Sequence, residues 1–200
     1  MSGNFIFVEG GGDSKELRTR CREGFHKLFE KCRLPQSIRL KARGGRDAAF
    51  DSFKTAHNGK APGEYVAMLI DSEEPVLATP WEHLRRRDPS WIKPLGATDE
   101  QVLLMTTCME TWIVSDRATL RLHYGGSLNE NPLPSAVNIE QRPRDIVQES
   151  LSSATRSCGN AYQKSRRSFE ILGKLNPEAL KDLPSFARMR RILQERLKPQ

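Results

Sequence analysis

Phe5-Ile6-Phe7-Val8-Glu9-Gly10-Gly11-Gly12-Asp13 is the stretch whose reading decides the fold. Consecutive apolar residues bounded by a glycine run describe a strand buried on both faces, and such strands belong to parallel sheets covered by helices. Glu9 falls where that strand ends. In an open α/β sheet the ligand crevice lies beyond the C-terminal strand ends, so a carboxylate delivered there is positioned for chemistry. Tyr65-Val66-Ala67-Met68-Leu69-Ile70-Asp71-Ser72-Glu73-Glu74 repeats the plan, an apolar run with acid at its exit. As parallel neighbours, about 4.8 Å apart, the two strands would gather Glu9, Asp71 and Glu73 around a volume suited to a hard divalent cation.

Between and beyond these strands the pattern alternates. Asp13 with Glu16 has the spacing of a helix cap, and Leu17, Cys21, Leu28, Phe29 and Cys32 recur at helical intervals up to Pro35. Ile38 and Leu40 alternate with polar residues over 37–42, a more exposed second strand. Arg43-Gly44-Gly45-Arg46-Asp47 turns the chain into a second helix carrying Phe50 and Phe53. The proline-rich stretch 75–94 has room only for two helical turns at 81–87. Val102-Leu103-Leu104-Met105 is a fourth strand, leading into a helix over 108–116. Helices are then expected at 144–155, 165–172 and 184–197. The expected architecture is therefore α/β, with a mostly parallel sheet of about four strands in residues 1–120. A helical, basic portion over 121–200 packs on it as one compact unit.

The formal charge of +7 is concentrated at one end: residues 151–200 hold 11 Lys or Arg against 4 acids, while the remainder is balanced. A basic segment beside a carboxylate-bearing domain suggests a polyanionic partner, nucleic acid being the commonest, against the plainer reading of a solvated helical surface. Cys21, Cys32, Cys108 and Cys158 form no C-x-x-C pair and are expected to be reduced thiols. The opening apolar stretch is short and lacks a basic flank, so no secretory leader is expected, and no run approaches the ~18 apolar residues of a membrane span. These features lead to an expectation of a cytoplasmic protein without a membrane partner.

An acid from one strand exit and an Asp-x-Glu from another suit Mg²⁺ or Mn²⁺. Mg²⁺ takes few carboxylates and shares oxygens with a substrate phosphate. Acids at such junctions also serve simply as helix caps. Glu110 and Asp116, in the helix after the fourth strand, are candidates for an additional acid. Lys164, Arg166 and Arg167 before one helix, and Arg43 and Arg46 around Gly44-Gly45 before another, are candidates for holding phosphate or nucleic acid. No Gly-Lys-Ser/Thr follows the glycine run, no G-x-G-x-x-G or Gly-x-Ser-x-Gly occurs, and the four histidines show no zinc spacing.

Val8-Glu9-Gly10 and the apolar strand ending in Asp71-x-Glu73 resemble the two motifs of the Toprim fold, the metal-binding domain of topoisomerases, bacterial primases and overcoming-lysogenization-defect nucleases. With Cys108-Met109-Glu110-Thr111-Trp112, Asn129-Glu130-Asn131-Pro132-Leu133-Pro134 and Ser168-Phe169-Glu170-Ile171-Leu172, the set is similar to a Toprim-like bacterial family. That family is encoded beside AAA or ABC-type ATPases in abortive-infection, anti-phage operons. The resemblance implies a metal-dependent nuclease, with Glu9, Asp71 and Glu73 as catalytic and metal-binding residues, controlled by an ATPase partner. The usual motif is Asp-x-Asp, so the glutamate at 73 leaves the position and number of metals open. A non-catalytic Toprim-like adaptor on the ATPase is the alternative. DNA and RNA both remain open as substrates, because backbone contacts serve either polymer.

Overall fold

The computed structural model describes residues 3–35, 37–164 and 166–197. The chain runs β1 (Asn4–Val8), α1 (Lys15–Lys31), β2 (Ile38–Ala42), α2 (Arg46–Asn58), β3 (Val66–Asp71), α3 (Pro80–Arg87), β4 (Val102–Met105) and α4 (Met109–Ser115). Four further helices follow, α5 (Arg117–Tyr124), α6 (Arg144–Thr155), α7 (Ser168–Leu172) and α8 (Pro184–Arg196). The sheet has four strands in the order β2-β1-β3-β4, and every pairing is parallel. Among the described residues no helix is long and apolar enough to cross a membrane.

The strand patterns explain the two-sided cover. All of β3 and β4 is buried, whereas β2 alternates buried and exposed at one margin. Ile6, Val8, Leu69, Leu103 and Met105 face α1, α4 and the helices after it, in one apolar core that also takes in Leu151, Phe169, Phe186 and Ile192. The helical C-terminal residues thus share the core of the sheet. Phe7, Met68, Ile70 and Leu104 point to the other face, under α2 and α3, where Phe50 stacks on Trp91 at 4.3 Å. Each such fully buried aliphatic or aromatic side chain stabilises the fold by about 1.5–3 kcal/mol.

Local signals place the ends. α1 is capped by Ser14, whose hydroxyl accepts the Leu17 N–H at 3.3 Å, one residue later than the Asp13 expected from spacing. Asp13 instead lies opposite Arg18. Gly24 lets α1 meet α7, because a Cβ there would lie 2.5 Å from the Phe169 carbonyl oxygen. α4 is buried from Met109 to Val114, and Trp112 meets Phe186 edge-on at 5.0 Å. α5 was not expected: of its apolar side chains Leu120 and Tyr124 are buried while Leu122 is exposed, and it is held by the Asp116 cap described below. The helix expected from 165 begins at Ser168, and Ser165 itself lies outside the described residues. At the β4 margin, the Arg188 guanidinium donates to the Val102 and Asp99 carbonyls at 2.9 and 2.5 Å.

Candidate functional site

β1 and β3 end side by side. Val8 stands opposite Leu69, and the Glu9 N–H continues the ladder onto the Leu69 carbonyl at 3.0 Å. The chain then turns sharply, with Gly11 at φ +86°, where a Cβ would strike the Arg18 backbone at 2.6 Å. Gly10 and Gly44 exchange backbone hydrogen bonds of 2.8 and 2.9 Å, tying the loop after β1 to the loop after β2. These glycines form one wall of a cleft of about 230 Å³ that Glu9, Asp71, Glu110 and Lys164 also line.

The acids are interlocked by backbone donors. Glu9 Oε2 accepts the Asp71 N–H at 3.0 Å, and Asp71 Oδ1 accepts the N–H of Met109, the first residue of α4, at 2.9 Å. Glu110 is 1% exposed; its Oε1 accepts from the Tyr162 hydroxyl at 2.5 Å and its Oε2 from the Gln148 amide at 3.1 Å. Among the described residues, Glu9 Oε1 and Asp71 Oδ2 receive no hydrogen bond, which leaves one oxygen of each acid available to the cleft.

Burial pushes the Glu9 carboxyl above its ordinary value, against the Asp71 N–H and Arg46, while Glu73 adds to the rise. Asp71 is held well above the usual carboxylate range, first by burial and then by the charges of Glu9 and Glu110, with Arg144 and Lys164 opposing. Burial and the neighbouring Glu110 also push the Tyr162 hydroxyl upward, keeping it a neutral donor. Burial at these strand ends therefore disfavours the charged form of both carboxyls, and at Asp71 the neighbouring acids add to that effect.

Such a donor set fits a hard cation, since Glu9 and Asp71 each offer a free carboxylate oxygen where added positive charge would relieve their repulsion. Among the described residues no group of three or more His, Cys, Asp or Glu is arranged to hold a metal by protein ligands alone. A cation here would complete its shell with water and substrate oxygens, which is the habit of Mg²⁺.

Glu73, expected as the third ligand, is placed differently. It adopts φ +65°, its N–H bonds the Thr107 carbonyl at 2.7 Å, and its side chain does not line the cleft. Its Oε2 takes Arg46 at 2.8 Å and Arg87 at 2.6 Å, and its Oε1 takes Arg144 at 2.6 Å. Partial burial works to raise this carboxyl, but the three guanidiniums outweigh it and hold the group below its ordinary value. Asp116 is likewise a structural group rather than an additional acid: Oδ1 caps α5 through the Thr119 N–H at 3.0 Å, and Oδ2 accepts the Asn176 N–H at 2.7 Å.

The basic candidates separate in the same way. Lys164 reaches the acid cleft, and Arg46 belongs to the cluster on Glu73. Arg43 is exposed, with its guanidinium 5.3 Å from the Phe7 ring centroid. Arg166 is exposed in a groove between α1 and α7, and Arg167 pairs with Glu170 at 3.8 Å. Sequence reasoning missed Arg87, Arg144, Gln148 and Tyr162, which lie between 13 and 71 positions from the acids they bond. Only a buried glutamate in need of donors hinted at Tyr162 and Gln148. A larger cleft, about 430 Å³, is elsewhere, between residues 136–141 and the start of α8; its buried carboxylate, Glu140, is already bonded to Ser185. Volume and chemistry do not coincide in this molecule.

A protein-family model described as Domain of unknown function (DUF4276) matches residues 8–194, from the last residue of β1 into α8. No curated protein and no solved structure matches the chain.

Proposed function

The chain belongs to the DUF4276 family, and we propose from its strand-end acids that it is a Mg²⁺- or Mn²⁺-dependent nuclease hydrolysing nucleic-acid phosphodiesters. The observation that carries this reading is the interlocked pair of the half-buried Glu9 and the buried Asp71 on adjacent strand ends, both raised and each with one oxygen free of described donors. When bound, the cation supplies neutralisation of the scissile phosphate and an activated water. Asp71, fixed by the Met109 N–H, would help to hold that cation through its free oxygen. Glu9, fixed by the Asp71 N–H and raised by burial above its ordinary value, is suited to move a proton.

Lys164 supplies a positive charge on the same cleft for a phosphate oxygen. The glycine wall lets a sugar-phosphate backbone approach without meeting side chains. The basic last quarter adds sequence-independent attraction to either DNA or RNA. The Toprim likeness extends the proposal to an effector role under an ATPase partner.

Plasmid DNA and total tRNA, incubated with the purified protein in Mn²⁺ or in EDTA, test it. Cleavage of either in Mn²⁺ alone, lost in Asp71→Asn, is expected; no cleavage of either, with the ATPase partner present, defeats the reading.

A second reading, a non-catalytic Toprim-like adaptor, is favoured by one observation: Glu73 is engaged by arginines, which leaves Glu9 and Asp71 as the cleft acids with a free oxygen among the described residues. Calorimetry separates the two. Mn²⁺ uptake that disappears in Glu9→Ala with Asp71→Ala belongs to the enzyme; no uptake by the wild type belongs to the adaptor.

A further inference from the structure

Three guanidiniums converge on the Glu73 carboxylate, and that is more donor capacity than the group can use. Arg46 is the first residue of α2, Arg144 the first of α6 and Arg87 the last of α3, so three separate helices bring their ends to one point. Glu74 also pairs with Arg87, leaving three positive charges against two negative ones. Nε and Nη2 of Arg46 and Nε of Arg87 are buried without an acceptor among the described residues. The Arg46 guanidinium instead lies over the Trp91 ring at 4.8 Å. Buried donors that are charged and unpartnered are costly, and a ligand that supplies acceptors would satisfy them.

The backbone at Glu73 points the same way. Its φ of +65° is the left-handed region that a residue with a Cβ adopts at a cost, and such strain collects at ligand clamps. Arg144 also connects the cluster to the acid pair. Burial would weaken its charge, and the nearness of both Asp71 and Glu73 restores it.

We propose that Arg46, Arg87 and Arg144 form a binding site for a terminal phosphate monoester of the substrate, with the Glu73 carboxylate standing in for the phosphate oxygens until the phosphate displaces it. An internal phosphodiester offers only two unesterified oxygens and one negative charge, and needs room for the chain on both sides. A terminal phosphate offers three oxygens and close to two charges, and needs an exit on one side only. The arginine side chains are just 14%, 23% and 28% exposed, an enclosure that suits an end rather than a continuous strand. Guanidinium pairs with phosphate oxygens by parallel N–H bonds, so the buried Nε and Nη2 atoms acquire the acceptors they lack. The site deepens the nuclease reading and rests on it only for what molecule carries the phosphate.

The test is equilibrium binding to the full chain in EDTA, using short oligonucleotides with a 5′-phosphate, a 3′-phosphate or hydroxyl ends, and inorganic phosphate alone. One phosphorylated end is expected to bind about tenfold or more tightly than the hydroxyl form, and Arg87→Ala and Arg144→Ala to remove that preference. Glu73→Gln, and Glu73→Gly, which accepts the positive φ without strain, are expected to bind inorganic phosphate about tenfold more tightly than the wild type. Equal binding of phosphorylated and hydroxyl ends by the wild type overturns the proposal, and that comparison needs no variant to fold. A folded Glu73→Gly with unchanged phosphate affinity overturns it too. Because no cation is present, the outcome is separate from cleavage: end discrimination can fail while Mn²⁺-dependent cleavage stands, and the reverse.

Discussion

The Glu9 carboxylate accepts the backbone N–H of Asp71 at 3.0 Å, so the acid of one strand is anchored on the residue that supplies the acid of the next. Neither can shift without moving the other. Asp71 is fixed in turn on the Met109 N–H, which couples the sheet to the start of α4. Two carboxyl groups, one buried and one half-buried, are thus brought together by bonds that orient them.

Removing one of those charges is expected to stabilise the cation-free protein while abolishing its response to metal. Asp71→Asn keeps an oxygen for the Met109 N–H and deletes a buried charge that Glu9 and Glu110 oppose. Its Tm in EDTA should exceed that of the wild type. Mn²⁺ should raise the wild-type Tm, by the equivalent of about 2.7 kcal/mol at roughly 100 times Kd, and leave Asp71→Asn unmoved. Cleavage by Asp71→Asn or Glu9→Gln should fall about 100-fold or more. Thermal scans with and without Mn²⁺ decide the matter; an unchanged or lower Tm for Asp71→Asn in EDTA contradicts it.

The pH dependence follows from the directions of the shifts. Glu9 and Asp71 bind their protons more tightly folded than unfolded. Their contribution to stability is therefore full below their ordinary values of 4.5 and 3.8, and is lost as pH rises through the folded values. Glu73 has the opposite sign: its contribution is present above its ordinary value of 4.5 and is lost as pH falls through its lowered folded value. In EDTA, the Tm advantage of Asp71→Asn over the wild type should widen from about pH 5 to about pH 8, and the stabilisation by Mn²⁺ should grow over the same interval. A constant difference across that range would show that Asp71 is not raised.

Tyr162 is expected to matter for Glu110 alone. Its hydroxyl donates to Glu110 Oε1 at 2.5 Å in a buried setting, and Tyr162→Phe leaves that oxygen without its donor. A loss of about 1–3 kcal/mol is expected. Chemical denaturation measures it, and Glu110→Gln combined with Tyr162→Phe should lose less than the two single changes summed, because the pair shares one interaction.

Asp116 provides the contrast. Its two oxygens cap α5 at Thr119 and hold the chain at Asn176, and it does not line the acid cleft. Asp116→Ala should cost about 1–3 kcal/mol of stability while Mn²⁺ affinity, read by calorimetry on the folded variant, stays as in the wild type. A selective loss of Mn²⁺ binding would return Asp116 to the list of ligands.

What was legible in the sequence was whatever is local. The unbroken apolar runs at Phe5–Val8 and Val66–Ile70 announce doubly covered strands, and a strand's end fixes where Glu9 and Asp71 emerge. The register Val8 opposite Leu69 then brings them together. Glu73 was misplaced because its φ of +65° turns the side chain out of the strand's alternation, and nothing in Asp71-Ser72-Glu73 signals that turn. Its three arginines come from positions 46, 87 and 144, at helix ends that only the tertiary fold assembles. α5 was missed because a short helix that buries only Thr119, Leu120 and Tyr124 takes its stability from the Asp116 cap and from contact with its neighbours.

The guanidinium of Arg188 on the Val102 and Asp99 carbonyls has a bearing beyond the monomer. An open parallel sheet offers two unzipped margins to other chains, the raw material of fibrils. Here the start of the last strand's margin is occupied by a side chain of the same molecule, on the Val102 carbonyl. The opposite margin carries Arg39 and Lys41, exposed, so incoming strands meet like charge. Concentrated solutions of the protein should therefore resist strand-on-strand polymerisation, and Arg188→Ala should be the change that releases it.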